Sequence, residues 1–222
     1  AGLAGTIESF SVVRPMATRS DWYLLGRFSG TSPVDDTAEA FLSDATSAGL
    51  LLDAVVADTT AQEQNLWILR DELPPETLFD AEGAKFDVAV PIDRVAEYQR
   101  SVEALIPELC GDGAVVYSFG HLGDGNLHLY VIPSFERGSR MEKALIDQVQ
   151  ASVDRLTWDM GGTVSAEHGV GQELLVRVAG QKSAVEVEMM RRVKAALDPD
   201  DLFNPGRGAH CAPIDGTREV ER

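Results

Sequence analysis

The sequence predicts an α+β fold, an antiparallel sheet flanked by helices, and three observations carry that prediction. Short runs rich in β-branched and aromatic residues, at 6–13, 21–30, 50–57, 85–90, 114–119 and 127–132, read as strands. Runs with apolar residues every three or four positions, at 35–49, 59–72, 91–110, 140–159 and 184–197, read as helices. The strands 114–119 and 127–132 are separated only by a glycine-rich turn, which indicates a hairpin rather than parallel strands joined by a crossover.

Each element has its own local reason. "TIESFSVV" and "DWYLLGRFSG" are strand-like and separated by the breaker-rich "RPMATRS". In the first helix Ala38, Phe41, Leu42 and Ala45 line one face, Asp36 and Glu39 read as a capping box, and Gly49 ends the run. "LLLDAVVA" is a short apolar strand, and the second helix carries Trp67 and Arg70 before Pro74 and Pro75 stop it. "KFDVAV" is the next strand. The following helix shows a stripe of Val95, Tyr98, Val102, Leu105 and Leu109, and the one at 140–159 a stripe of Leu145, Val149, Val153 and Leu156. The last helix starts at a box of Ser183 and Glu186 and carries Val185, Met189 and Val193. Two similar halves would fit a duplicated ferredoxin-like unit spanning 1–206, with 207–222 as a loose tail.

Composition excludes several classes. With 222 residues, 44% hydrophobic and 25% charged, the chain is long enough to bury a core. A net charge of −17 makes nucleic acid and anionic lipid surfaces poor partners. No apolar run approaches the roughly 20 residues that cross a bilayer, so no membrane insertion is expected. The N-terminus has no basic segment ahead of an apolar one, and it does not open on methionine. Cys110 and Cys211 are too few for a disulfide framework, which fits a reducing cytoplasm.

Chemistry concentrates in "FGHLGDGNLHLYV". Two of the four histidines, His121 and His128, flank its turn. Strand alternation puts Leu127, Leu129 and Val131 on one face and His128, Tyr130 and Ile132 on the other. Gly123 and Gly125 permit the reversal that brings both imidazoles together, a geometry suited to zinc and its neighbours. A second glycine-rich stretch, "GGTVSAEHGVG", holds Glu167 and His168. Two imidazoles and a carboxylate leave open positions, as in a catalytic metal centre, with His168 free as a general base. On pattern alone, histidines around a turn are more often hydrogen-bonded hairpin residues than ligands. A self-sufficient metal hydrolase and a metal-free assembly domain are the other classes these residues allow.

Three motifs in order, "GHLGDGNLH", "SAEHGVG" and "ALDPDDLFNPG", resemble the C-terminal half of the FAD-linked oxidase family, which includes D-2-hydroxyglutarate, D-lactate and glycolate dehydrogenases. The resemblance implies a cap domain that binds a small anionic 2-hydroxy acid, with hydride passing to FAD. It implies a divalent metal, usually zinc, on His121, His128 and Glu167, and His168 as the base. Arg70 in "NLWILRDEL" and Lys85 opening "KFDVAV" match substrate-binding positions, and Asn126 and Asn204 match positions near the flavin. Tyr130 stands where the hydroxyglutarate enzymes usually carry Asn, and Pro74 where they often carry a hydroxylated residue. The FAD-binding domain expected ahead of this region, in cis or on a partner chain, is not recognisable here, so the chain reads as a fragment inactive alone. A homodimer is among the assemblies expected.

Overall fold

The computed structural model describes residues 15–31, 33–71, 80–172 and 174–207. The expected strand at 6–13, Pro74 and the tail beyond 207 lie outside the described residues. Within the region expected as one domain the chain forms two compact units, Ala1–Asp80 and Ala81–Arg222.

The first unit contains helices α1 (Val34–Ser47) and α2 (Thr60–Asp71). Helix α1 starts behind Pro33 with no side-chain cap, so the expected box of Asp36 and Glu39 does not form. Asp36 falls inside the first turn, where with Asp35 it complements the helix dipole instead. Helix α2 has a capping box that the sequence reading missed. Thr59 Oγ1 accepts from the Gln62 amide, and Gln62 Oε1 accepts in return from the Thr59 amide. The strands expected at 21–30 and 50–57 are absent. Strand propensity needs an edge to pair with, and no described strand lies alongside these runs; Leu24, Leu50 and Leu52 are exposed.

The second unit contains β1 (Ala84–Ala89), α3 (Val95–Cys110), β2 (Val115–His121), β3 (Asn126–Ile132), α4 (Lys143–Asp159), α5 (Leu175–Gln181) and α6 (Ala184–Leu197). Its sheet has the order β1-β3-β2, with β3 antiparallel to both neighbours. Strands β1 and β2 are therefore parallel and joined through α3, a split βαβ followed by a second helix. The sheet and the α+β class agree with expectation, although only one such sheet occurs among the described residues. Helices α3 and α4 cover one sheet face. There Val88, Leu129 and Val131 meet Tyr98, Val102, Ile106, Val149 and Val153 in a continuous core. The Tyr98 hydroxyl is buried against Thr157 Oγ1 at 2.8 Å, and Thr157 in turn donates to the Val153 carbonyl.

The free edge of β1 is occupied by an irregular segment after α4. Ala89 and Thr163 exchange both backbone hydrogen bonds, at 3.0 and 2.8 Å, and Ala166 N–H donates to the Asp87 carbonyl. A strand is thus replaced by a loop, and that loop is "GGTVSAEHGVG". The box of Ser183 and Glu186 caps α6 as expected, but the stripe does not pack: Val185, Met189 and Val193 are exposed.

Candidate functional site

Directly paired residues on neighbouring strands point the same way, so the register collects the site on the sheet face opposite the helices. His128 pairs with Asp87 on one side and Phe119 on the other, Tyr130 with Lys85 and Tyr117, and Asn126 with His121. The hairpin turn is tighter than the sequence suggests. A 3-10 turn, Leu122–Asp124, leads to Gly125 at φ +73°, and Asp124 Oδ1 accepts the Asn126 amide. Only Gly125, not Gly123, takes the left-handed conformation.

This geometry brings His121, His128, Glu167 and His168 together. Glu167 Oε1 lies 2.9 Å from His128 Nε2, and Oε2 lies 3.5 Å from His121 Nδ1. One donor atom from each of His121, His128 and Glu167 falls within 4.8 Å of the others. The His168 ring stacks on His128, centroids 5.3 Å apart. Side-chain exposure divides the set: His128 is 9% exposed, against 50% for His121, 42% for Glu167 and 65% for His168. His128 is thus anchored in the sheet, while His121, Glu167 and His168 open to solvent. Burial pushes the His128 imidazole below its ordinary value, against the pull of Asp87 and Glu167, which favours the neutral, ligating form.

Asp87, which the sequence reading passed over, lies beneath this cluster and is 8% exposed. Its Oδ2 accepts the backbone N–H groups of Glu167 at 3.0 Å and His168 at 2.9 Å, and its Oδ1 accepts the Asn126 amide at 2.8 Å. Burial raises the Asp87 carboxyl, but these three hydrogen bonds and the nearby His168 together hold it below the usual range. Asp87, His128 and His168 also converge closely enough to hold a metal ion. The first set fits better, since both Asp87 oxygens already accept hydrogen bonds. The signal for Asp87 was in the sequence: an acid inside the apolar run "KFDVAV", on the strand face that Lys85 shares.

The loop is tied down at its entry and after its exit as well. Gln181 Nε2 donates to the Gly162 carbonyl at 2.6 Å. Arg177 on α5 makes a bidentate pair with the buried Asp154 of α4, at 2.7 and 2.6 Å, and lies over the Phe86 ring.

Comparison with known proteins gives the family of the chain. The family of FAD linked oxidases, C-terminal domain, matches residues 4–207. The chain belongs to this family. It is 32% identical over 212 residues to D-2-hydroxyglutarate dehydrogenase of Stutzerimonas stutzeri, covering 92% of this chain and 44% of that protein. It is 32% identical over 202 residues to the protein of that name from Xanthomonas citri pv. viticola, covering 90% and 42%. It is also 32% identical over 195 residues to D-lactate dehydrogenase of Anaerostipes hadrus, covering 83% and 38%. The chain spans less than half the length of these curated relatives.

The remaining residues singled out by the resemblance to this oxidase family fall in different places. Lys85 is exposed on the site face, its Nζ 5.7 Å from the centre of the Tyr130 ring, and Tyr130 stacks on Phe119 at 6.0 Å. Arg70 stands in the last turn of α2, in the first unit. Asn126 is buried, its amide nitrogen committed to Asp87 and the Val88 carbonyl and its Oδ1 left without a hydrogen-bond partner. Asn204 is exposed at φ +50° in the segment after α6. That segment is folded around Asp198, whose carboxylate accepts the Leu202 and Phe203 amides and pairs with Lys194.

Proposed function

We propose that this chain is the substrate-side part of a FAD-dependent dehydrogenase that oxidises 2-hydroxy acids to 2-oxo acids and that it does not turn over without its flavin partner. The observation that carries the proposal is the convergence of His121, His128 and Glu167 on one point, with His168 stacked beside them. Two imidazoles and a carboxylate suit a divalent ion of the zinc type and leave coordination positions open. When bound, that ion would supply Lewis acidity toward a hydroxy acid, and FAD, held mainly by the length that the relatives have beyond this match, would supply the two-electron acceptor.

The chain's own residues divide the remaining work. His168 takes the substrate hydroxyl proton on an imidazole nitrogen. Its Nδ1 lies 3.3 Å from Asp87 Oδ2, so the proton goes to Nε2, which stands on the Glu167 side, 3.6 Å from Oε1. Lys85, on the same sheet face as His128, pairs with an anionic group of the substrate, which matters more in a protein of net charge −17. Tyr130, stacked on Phe119, bounds the space beyond His128 for the rest of the substrate. Asn126 offers a buried acceptor atom toward the flavin side, and Asn204 a second polar contact there. A reducing cytoplasmic setting belongs to the same proposal, supported by a cysteine content of two in 222 residues.

Metal loading tests this without turnover. Zn²⁺ or Co²⁺ is expected to bind the chain at one equivalent. His121→Ala and Glu167→Ala should each weaken binding by at least about 100-fold, the upper end of what a merely supporting residue costs. A chain that takes up neither ion at neutral pH, or ignores both substitutions, would overturn the metal assignment. Oxidation of a D-2-hydroxy acid by this chain with no added flavoprotein would overturn the division of labour.

A further inference from the structure

We propose that Asp87 is the positioning residue of this site: one carboxylate fixes the Glu167–His168 loop against β1 and so sets where the ligand and base side chains stand. The chemistry assigned to those side chains rests on the function proposed above; the hold on the loop rests on this chain's geometry alone.

The loop needs such a hold. Glu167 and His168 are exposed and lie outside any helix or strand, so burial does little to fix them. Two successive backbone N–H groups nonetheless converge on a single oxygen, Asp87 Oδ2, from 80 and 81 residues away in sequence. Two adjacent amides pinned to one point fix the peptide plane between them, and with it the directions in which both side chains leave the backbone. The backbone of Asp87 acts in the same sense, its carbonyl accepting the Ala166 amide at 3.2 Å.

The other oxygen ties this loop to the hairpin. Asp87 Oδ1 accepts from Asn126, which pairs with His121 in the β2–β3 register, while His128 stands opposite Asp87 on β3. A charged acceptor makes stronger hydrogen bonds than a neutral one, which suits a residue that must hold an exposed strap. An amide cannot replace it. An asparagine at 87 that turns its oxygen to the loop presents its NH₂ to the NH₂ of Asn126, and an Asn126 flipped to accept it would set its own oxygen against the Val88 carbonyl. Turned the other way, the asparagine at 87 faces two backbone donors with a third.

Amide hydrogen exchange on the 222-residue chain tests the hold directly. In the unchanged chain the Glu167 and His168 amides should exchange at least about tenfold more slowly than unprotected peptide, as expected for a hydrogen bond to a charged group. Asp87→Asn should speed both by about tenfold or more while leaving the Leu129 amide in the β3 ladder unchanged. Co²⁺ should bind that variant about 10–100-fold more weakly, with an altered visible spectrum. Unprotected Glu167 and His168 amides in the unchanged chain would overturn the proposal, and this arm stands even if Asp87→Asn fails to fold. Unaltered exchange, or altered exchange with an unaltered Co²⁺ spectrum and affinity, in a folded Asp87→Asn variant would overturn it too. If the unchanged chain takes up no Co²⁺, the metal assignment fails, while the two amides still decide what Asp87 holds.

Discussion

Gly125→Ala is the perturbation whose cost the structure defines most sharply. Gly125 closes the turn between the two histidine-bearing strands at φ +73°, and a Cβ there would lie 2.0 Å from the Val90 carbonyl oxygen. The contact cannot be relieved by sliding, because the Gly125 carbonyl itself accepts the Val90 amide at 3.1 Å. Left-handed backbone for alanine costs about 1 kcal/mol. Forcing a methyl group against hydrogen-bonded backbone adds roughly 1–3 kcal/mol. A loss of about 3 kcal/mol follows, a large fraction of the 5–15 kcal/mol typical of a domain. Gly123, two residues away, provides the control, since its Cβ would meet nothing within 4 Å and its φ is not positive. Gly123→Ala should change stability by no more than about 0.5 kcal/mol in either direction. Urea titration of both variants, followed by far-UV circular dichroism, makes the comparison. If Gly125→Ala proves as mild as Gly123→Ala, the assignment of the turn to Gly125 is wrong.

Four further outcomes are expected. Arg177→Met leaves the Asp154 carboxylate buried and unpaired between α4 and α5, and should cost about 3 kcal/mol by urea titration; a change under about 1 kcal/mol would remove this clamp from the account. Tyr98→Phe should cost about 1 kcal/mol, because Thr157 already donates to Val153 and loses its one donor from α3. Burial also pushes the Tyr98 phenol up to about 12, so no more than about a tenth of it should be phenolate at pH 11 in the folded protein. His128 should titrate by NMR below 6.5, its ordinary value. Because its folded value is the lower one, the unfolded chain binds the proton more readily. Its contribution to stability is therefore complete above about pH 6.5 and lost as pH falls through 6.5 toward the folded value. A His128 titration at or above 6.5 would contradict the burial described for it.

Much of the second unit was legible because its signals are local. The α3 stripe of Val95, Tyr98 and Val102 is a helical period, and the alternation in "LHLYVI" is a strand period. Both predict the buried face correctly because the faces pack on each other. The Ser183 box is a four-residue event and forms as written. Where the expected partner was distant, the reading failed. "DWYLLGRFSG" and "LLLDAVVA" have strand composition, yet no described strand pairs with either. The stripe on α6 has helical spacing but remains exposed, since periodicity identifies an apolar face without saying what covers it.

The site shows the same division. By itself the sequence marked the residues to which the proposed chemistry is assigned, apart from Asp87. Imidazole and carboxylate are the groups that bind a divalent ion, and glycine-rich stretches are where a backbone can present them. Only the tertiary structure decided how they are brought together. The β1–β3–β2 register sets His128 opposite Asp87, and the free edge of β1 receives a loop from far along the chain. Nothing within a few residues of "KFDVAV" signals that its acid accepts two backbone amides 80 and 81 residues later. Nor does "GHLGDGNLH" reveal which glycine must be left-handed, because that depends on where the Val90 carbonyl lies. Short-range sterics and side-chain chemistry are written in the order of the residues. Contacts between distant segments come into being only when the core has closed.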